Sequence, residues 1–292
     1  MLKFYEPSGN FSPVSFLYFL LTSIIVLPLL ALIYTYLIWY IPFVYVNLFI
    51  TIGFGFAVGF AINFMVIKLG KVRNKTLATI FGVLSGLIAL YFSWAVWVDL
   101  VFNVGEVYGT SRIGIATSNI KFFQVVQLAL HPKELFLIIM EINESGTWGF
   151  GSTTVSGIFL AIIWIIEALI VLVLSVLAPI GQSTIPFCEH DNKWFKENEL
   201  PAFNLISNPN EFIGYIENHN SDAFKELTKV PNSGESDHSI FTLYSSKKGE
   251  NYLSIENKKM KKNSKGETEF DGNEFITYAM ITSDFKQILL EK

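Results

Sequence analysis

The sequence predicts an α-helical polytopic membrane protein: a four-helix transmembrane bundle with two short outer interfacial helices and a small cytoplasmic α+β domain. Three observations lead there. The 292-residue chain is 51% apolar and only 16% charged, with a mean hydropathy of +0.44, a balance foreign to most soluble domains of this size. Most of the apolar content lies before residue 181. Within it, four segments each reach the about 20 apolar residues that a membrane helix needs.

The chain then divides into a cytoplasmic N-terminal segment (1–14), a transmembrane domain (15–180) and a cytoplasmic α+β domain (181–292). The spans cover about 15–40, 43–67, 76–98 and 155–178, with an outer segment over 99–154. Pro28 interrupts the first span, because its ring removes a backbone donor. Trp39 and Tyr40 close that span as interfacial aromatics do, and Pro42 turns the chain into the second. The run from Val14 to Ile41 is too long for a signal-peptide core, and no small-x-small cleavage site follows it.

Orientation rests on the loop after the second span. Lys68, Lys71, Arg73 and Lys75 stand there without an acid, and basic loops stay on the cytoplasmic side. Both termini are then cytoplasmic and the 99–154 segment is outside. In that segment Asn119–Leu130 and Pro132–Ile142 read as two short helices, too short to span, lying on the outer surface or capping the bundle. Phe122, Phe123, Val126 and Leu130 share one face of the first; Leu135, Ile138, Ile139 and Ile142 share one face of the second. The stretch Gly146–Gly151 is a flexible re-entry into the fourth span. It lacks the preceding strand and the Lys-Ser/Thr of a phosphate loop.

Beyond residue 181 the pattern is that of a small α+β domain. Helices are expected at Glu211–Asn218, Asp222–Lys229 and Ser283–Leu290. Strands are expected at Ser239–Ser245, Tyr252–Glu256 and Phe275–Ile281, antiparallel because their connections are short. Lys258, Lys259, Lys261, Lys262 and Lys265 form a local basic cluster around a hairpin turn, Lys261–Gly266. A net charge of −4 gives no case for nucleic acid.

Few residues carry chemistry. Glu167 lies in the middle of the apolar run from Val155 to Ala178, and an intramembrane carboxyl costs a few kcal/mol on insertion scales, roughly 2.5–3.5 for Asp at a helix centre. It forms a candidate intramembrane polar site with Asn63 of the second span, or with a third-span hydroxyl such as Ser85. Gly55 and Gly59, then Gly82 and Gly86, have the small-xxx-small spacing that lets helices approach closely, and we expect them to bring the second and third spans together. The single cysteine, Cys188, excludes an internal disulfide. Cys188 and His190 are the best zinc candidates. The stretch from Pro186 to Trp194 resembles half a zinc ribbon whose other ligands are missing.

No Walker loop, metalloprotease helix or nucleophile elbow is present in the sequence. The expectation is therefore a non-enzymatic accessory or scaffold subunit without a resident cofactor. Its partners would be the lipid bilayer and another membrane or cytoplasmic subunit, or a second copy of the chain. The alternative is a small transporter or channel subunit that uses Glu167 as a proton or ion site. A bacterial inner membrane suits the short-looped spans.

Overall fold

The computed structural model describes residues 2–41, 43–109, 114–146, 148–150, 153–247, 249–264 and 266–292. Pro42, Lys265 and two residues of the glycine-rich stretch, Thr147 and Gly151, lie outside the described residues. The chain forms two units. One is Gly9–Thr184; the other joins Met1–Ser8 to Ile185–Lys292.

The first unit holds four helices long and apolar enough to cross a membrane: Val14–Tyr40, Tyr45–Lys68, Lys75–Phe102 and Gly157–Thr184. The first is built from α1 (Val14–Leu21), a π-helical turn over Thr22–Val26, and α2 (Leu27–Tyr40). Pro28 enters in the first turn of α2. A proline there lacks a donor and crowds the carbonyl four residues back, and the wider π turn just before it gives room. The second consists of α3 (Val44–Ile62) and a π-helical turn over Asn63–Lys68.

The basic loop is pinned rather than loose. The Gly9 amide donates to the Arg73 carbonyl at 3.2 Å, and the Arg73 amide to the Asn10 carbonyl at 2.8 Å. Arg73 is buried, and its guanidinium donates to the Lys71 carbonyl. Asn74 then starts α4 (Lys75–Phe102), its Oδ1 accepting from the Leu77 amide at 2.9 Å. A side-chain acceptor at this position satisfies one of the free donors of a helix start.

Two antiparallel hairpins after α4 were not foreseen: β1 (Val104–Gly109) with β2 (Gly114–Ser118), and β3 (Trp148–Phe150) with β4 (Thr153–Val155). Their arms are short and rich in glycine and threonine, so they show little alternation. Aromatics at the end of α2 hold the first, through the Trp39 indole to Ala116 and the Tyr40 hydroxyl to Ser118. Between the hairpins lie α5 (Phe122–Leu130) and α6 (Pro132–Ser145), and α7 (Gly157–Thr184) follows. Gly146, at φ +82°, ends α6, a conformation that suits glycine.

The second unit is an antiparallel sheet with helices on one face. Strand order is β11 (Thr268–Ile281), β10 (Asn251–Lys262), β9 (His238–Ser245), β7 (Lys196–Glu199), with β8 (Phe203–Asn204) also on β9. Strands β5 (Phe187–Cys188) and β6 (Lys193–Trp194) make a separate small hairpin. Helices α8 (Pro209–Glu217), α9 (Asp222–Lys225) and α10 (Ser283–Glu291) bury Phe212, Phe224 and Phe285 with Phe241 and Leu253 of the sheet. The opposite face carries Tyr5, Tyr244, Tyr252, Tyr278 and Phe195. Strands β10 and β11 run well past their expected ends, because their distal arms are charged and mostly exposed and so lack an apolar alternation.

One boundary needs correction. Residues 1–14 are not a single segment. Phe4 bridges Ala279 of β11, with the Tyr5 amide to the Tyr278 carbonyl at 2.9 Å and the Met280 amide to the Lys3 carbonyl at 2.7 Å. The outer edge of β11 offers unpaired backbone groups, and the first residues of the chain cover it.

Candidate functional site in the helical unit

The glycines fix how the helices meet. A β-carbon at Gly55 would stand 2.9 Å from the Leu174 side chain and 3.1 Å from the Val171 backbone; one at Gly59 would meet the Leu174 carbonyl at 2.8 Å. At Gly82 it would meet the Val176 backbone at 2.9 Å, and at Gly86 the Ser175 hydroxyl at 2.8 Å. All four glycines therefore face α7. The expected close packing of the second span on the third through these residues is not what forms: each pair makes its own groove for the fourth span. Ser175 sits between them, fully buried, with its hydroxyl 3.0 Å from the Gly82 carbonyl.

These contacts also set the register. Rising numbers on α3 meet rising numbers on α7, so those helices run parallel; on α4 the order is reversed. With Gly55 beside Val171, one turn back on both helices brings Thr51 level with Glu167. The Thr51 hydroxyl is 3.2 Å from the Tyr34 hydroxyl, and the Tyr34 ring stacks on Phe54 with centroids 4.2 Å apart. The Glu167 carboxyl lies within electrostatic reach of Tyr34.

Asn63 and Ser85 are not in this group. Asn63 is about 18 Å further along α3 than Thr51, at 1.5 Å per residue. Its Oδ1 is buried with no hydrogen-bond partner. Ser85 donates to the carbonyl of Phe81 in its own helix. The predicted pairing of Glu167 with either residue is therefore not made; depth along the helices forbids it. Glu167 is half-buried, and among the described residues no hydrogen bond or ion pair reaches its carboxyl. Tyr34 and Thr51 escaped the sequence reading. Hydroxyls in apolar runs are common, and only the register of three helices singles these out.

Asp99 is fully buried. One carboxylate oxygen accepts from the Lys121 amide at 2.8 Å, where the chain enters α5; the other has no partner. Above Glu167, the rings of Trp94 and Trp164 meet edge to face at 4.6 Å, with Trp97 adjoining.

In the sheet unit Cys188 is buried, and its Sγ accepts from the Asp191 amide at 3.4 Å across the β5–β6 turn. His190 is exposed on that turn. Both line an open cleft of about 660 Å³ with Tyr5, His219, Glu250 and Tyr252. Among the described residues no three His, Cys, Asp or Glu side chains converge as metal ligands would. Two lysines of the basic cluster are paired: Lys261 with Asp271 at 3.2 Å and Lys258 with Glu256 at 3.8 Å.

No protein-family model matches the chain, and no curated protein or solved structure matches it either.

Proposed function

We propose that this chain is an integral membrane accessory or scaffold subunit whose α+β unit, on the cytoplasmic side, binds a partner protein. The observation that carries the reading is Glu167: a half-buried carboxyl in an apolar helix to which its own chain offers no hydrogen bond among the described residues. Such a group is kept where something compensates for it, and a donor on a neighbouring membrane subunit does so. The pinned basic loop supports cytoplasmic termini. The pairing of residues 2–5 with β11 keeps both ends on one side, as an even number of spans requires; which side is argued from the basic loop alone.

The test is co-purification of the neighbour with Glu167 variants. Glu167→Gln retains hydrogen-bonding capacity and should keep a neighbour that offers a neutral donor; Glu167→Leu should lose it. Equal retention of every co-purifying membrane protein by the Leu variant would remove Glu167 from the reading.

A second reading has one observation in its favour. The Tyr34–Thr51 pair beside Glu167 supplies hydroxyls from two further helices, as a proton or ion site in a small transporter would. Reconstituted protein would then show a pH-dependent flux that Glu167→Gln abolishes.

A further inference from the structure

The helices α5 and α6 form a hairpin that stands along α4 instead of lying across its end. At the open end the Lys121 amide binds the Asp99 carboxylate at 2.8 Å; near the tip the Tyr91 hydroxyl binds the Ala129 carbonyl at 2.7 Å. Both pairs of anchor points are separated by about 12 Å of helix rise, so α5 descends antiparallel to α4. Its inner face packs Val125, Leu128 and Ala129 against Tyr91, Ala95 and Val98, and α6 adds Leu135, Ile138 and Ile142. The α6 end returns to the start of α7, where the Asn143 amide group donates to the Gly157 carbonyl at 3.1 Å. The tip at His131–Pro132 is about 16 Å lower along α6.

That depth decides what covers the outside of the hairpin. Ile158 and Phe159, in the first turn of α7, are 77% and 75% exposed, so apolar surroundings already reach the level of the open end. The hairpin extends from there toward the bundle middle. It presents Phe123 (86% exposed), Leu130 (72%), Phe136 and Leu137 outward, and the described residues leave all four uncovered. Free water against this ridge would leave a continuous apolar patch exposed.

We propose that the α5–α6 hairpin is a wedge inserted into the adjacent leaflet, with lipid acyl chains covering Phe123, Leu130, Phe136 and Leu137. The polar tip residues His131, Lys133 and Glu134 limit its depth, because charge deep in hydrocarbon is costly. The Lys133 stem can carry its ammonium toward the headgroups. The wedge is a re-entrant element: each helix satisfies its interior backbone as the hydrocarbon requires, and near the tip the Tyr91 hydroxyl and the His131 ring bond the Ala129 and Gln127 carbonyls.

The test uses the full chain in phosphatidylcholine–phosphatidylglycerol vesicles, with Cys188→Ser as background. An environment-sensitive label is placed at Leu130 or Leu137, at Leu87 as a mid-span control and at Glu235 as a water control. Nitroxides high or low on the acyl chain report depth. The wedge predicts that Leu130 and Leu137 are quenched by the acyl-chain nitroxides as strongly as Leu87 and shielded from an aqueous quencher. Labels at Leu130 and Leu137 that behave like Glu235, while Leu87 is quenched, would overturn it. The two tip positions lie on different helices, so a folding failure in one variant leaves the other to decide.

Discussion

The backbone amide of Tyr5 donates to the carbonyl of Tyr278 at 2.9 Å, which makes the start of the chain an edge strand of a sheet built almost wholly from its end. Tyr278 is itself unusual. Its φ is +53°, a strained value for a bulky residue, at a bulge where the pairing slips between Leu253–Ala279 and Ile255–Ile276. The Ser254 hydroxyl accepts the displaced Tyr278 amide at 3.0 Å.

Removing residues 2–5 should therefore expose the β11 edge. Hydrogen exchange on the full chain should show faster exchange at Met280, whose amide donates to Lys3, while β9 stays protected. Unchanged protection of β11 would mean that the N-terminal strand does not pair with it.

The four glycines should not respond alike to substitution. At Gly59 and Gly82 an added β-carbon meets α7 backbone, at 2.8 and 2.9 Å. Gly59→Val and Gly82→Val should each cost about 1–3 kcal/mol, the usual range for overpacking, read as lower thermal stability in detergent. At Gly86 the nearest atoms are the Ser175 hydroxyl and a Leu172 methyl, which can shift. Gly86→Ala should be milder than either.

Tyr34→Phe separates the two functional readings. It removes the hydroxyl that meets Thr51 and keeps the ring on Phe54. An accessory subunit should keep its partners after this change, as judged by co-purification. A relay through Tyr34, Thr51 and Glu167 should lose flux without losing folding.

The tyrosine face of the sheet unit predicts alkaline sensitivity. Burial raises Tyr244, with Tyr278 and Glu197 adding to it. Burial also raises Tyr252, aided by its bond to Glu250, and raises Tyr278, aided by Glu274. Below about pH 10, the ordinary tyrosine value, these groups are protonated folded or unfolded, and stability does not depend on them. Above it the unfolded chain releases their protons first, so stability falls as pH rises. Tyrosinate absorbance should show a late phase that Tyr252→Phe and Tyr244→Phe each diminish. A single transition near pH 10 for all tyrosines would contradict this.

What the sequence made legible followed from long-period signals. The four apolar helices, the Pro132 start of α6 and the final helix from Ser283 are all visible as composition or periodicity. The depth of polar residues was not. Glu167 and Asn63 both sit in apolar runs, and only the contacts of Gly55 and Gly59 with Leu174 show that they stand at different levels. Which face of α5 meets the bundle was not legible for a related reason. Phe122, Phe123, Val126 and Leu130 form the more apolar stripe, yet Val125, Leu128 and Ala129 face the bundle. In an apolar solvent hydrophobicity no longer marks the inside, and small residues mark it better.

The most direct measurement is affinity purification of the chain from native membranes in mild detergent, with mass spectrometry of what accompanies it. The accessory reading predicts a reproducible, stoichiometric membrane or cytoplasmic partner that Glu167→Leu weakens. A chain recovered alone, or only with copies of itself, and unaffected by Glu167→Leu, would contradict it.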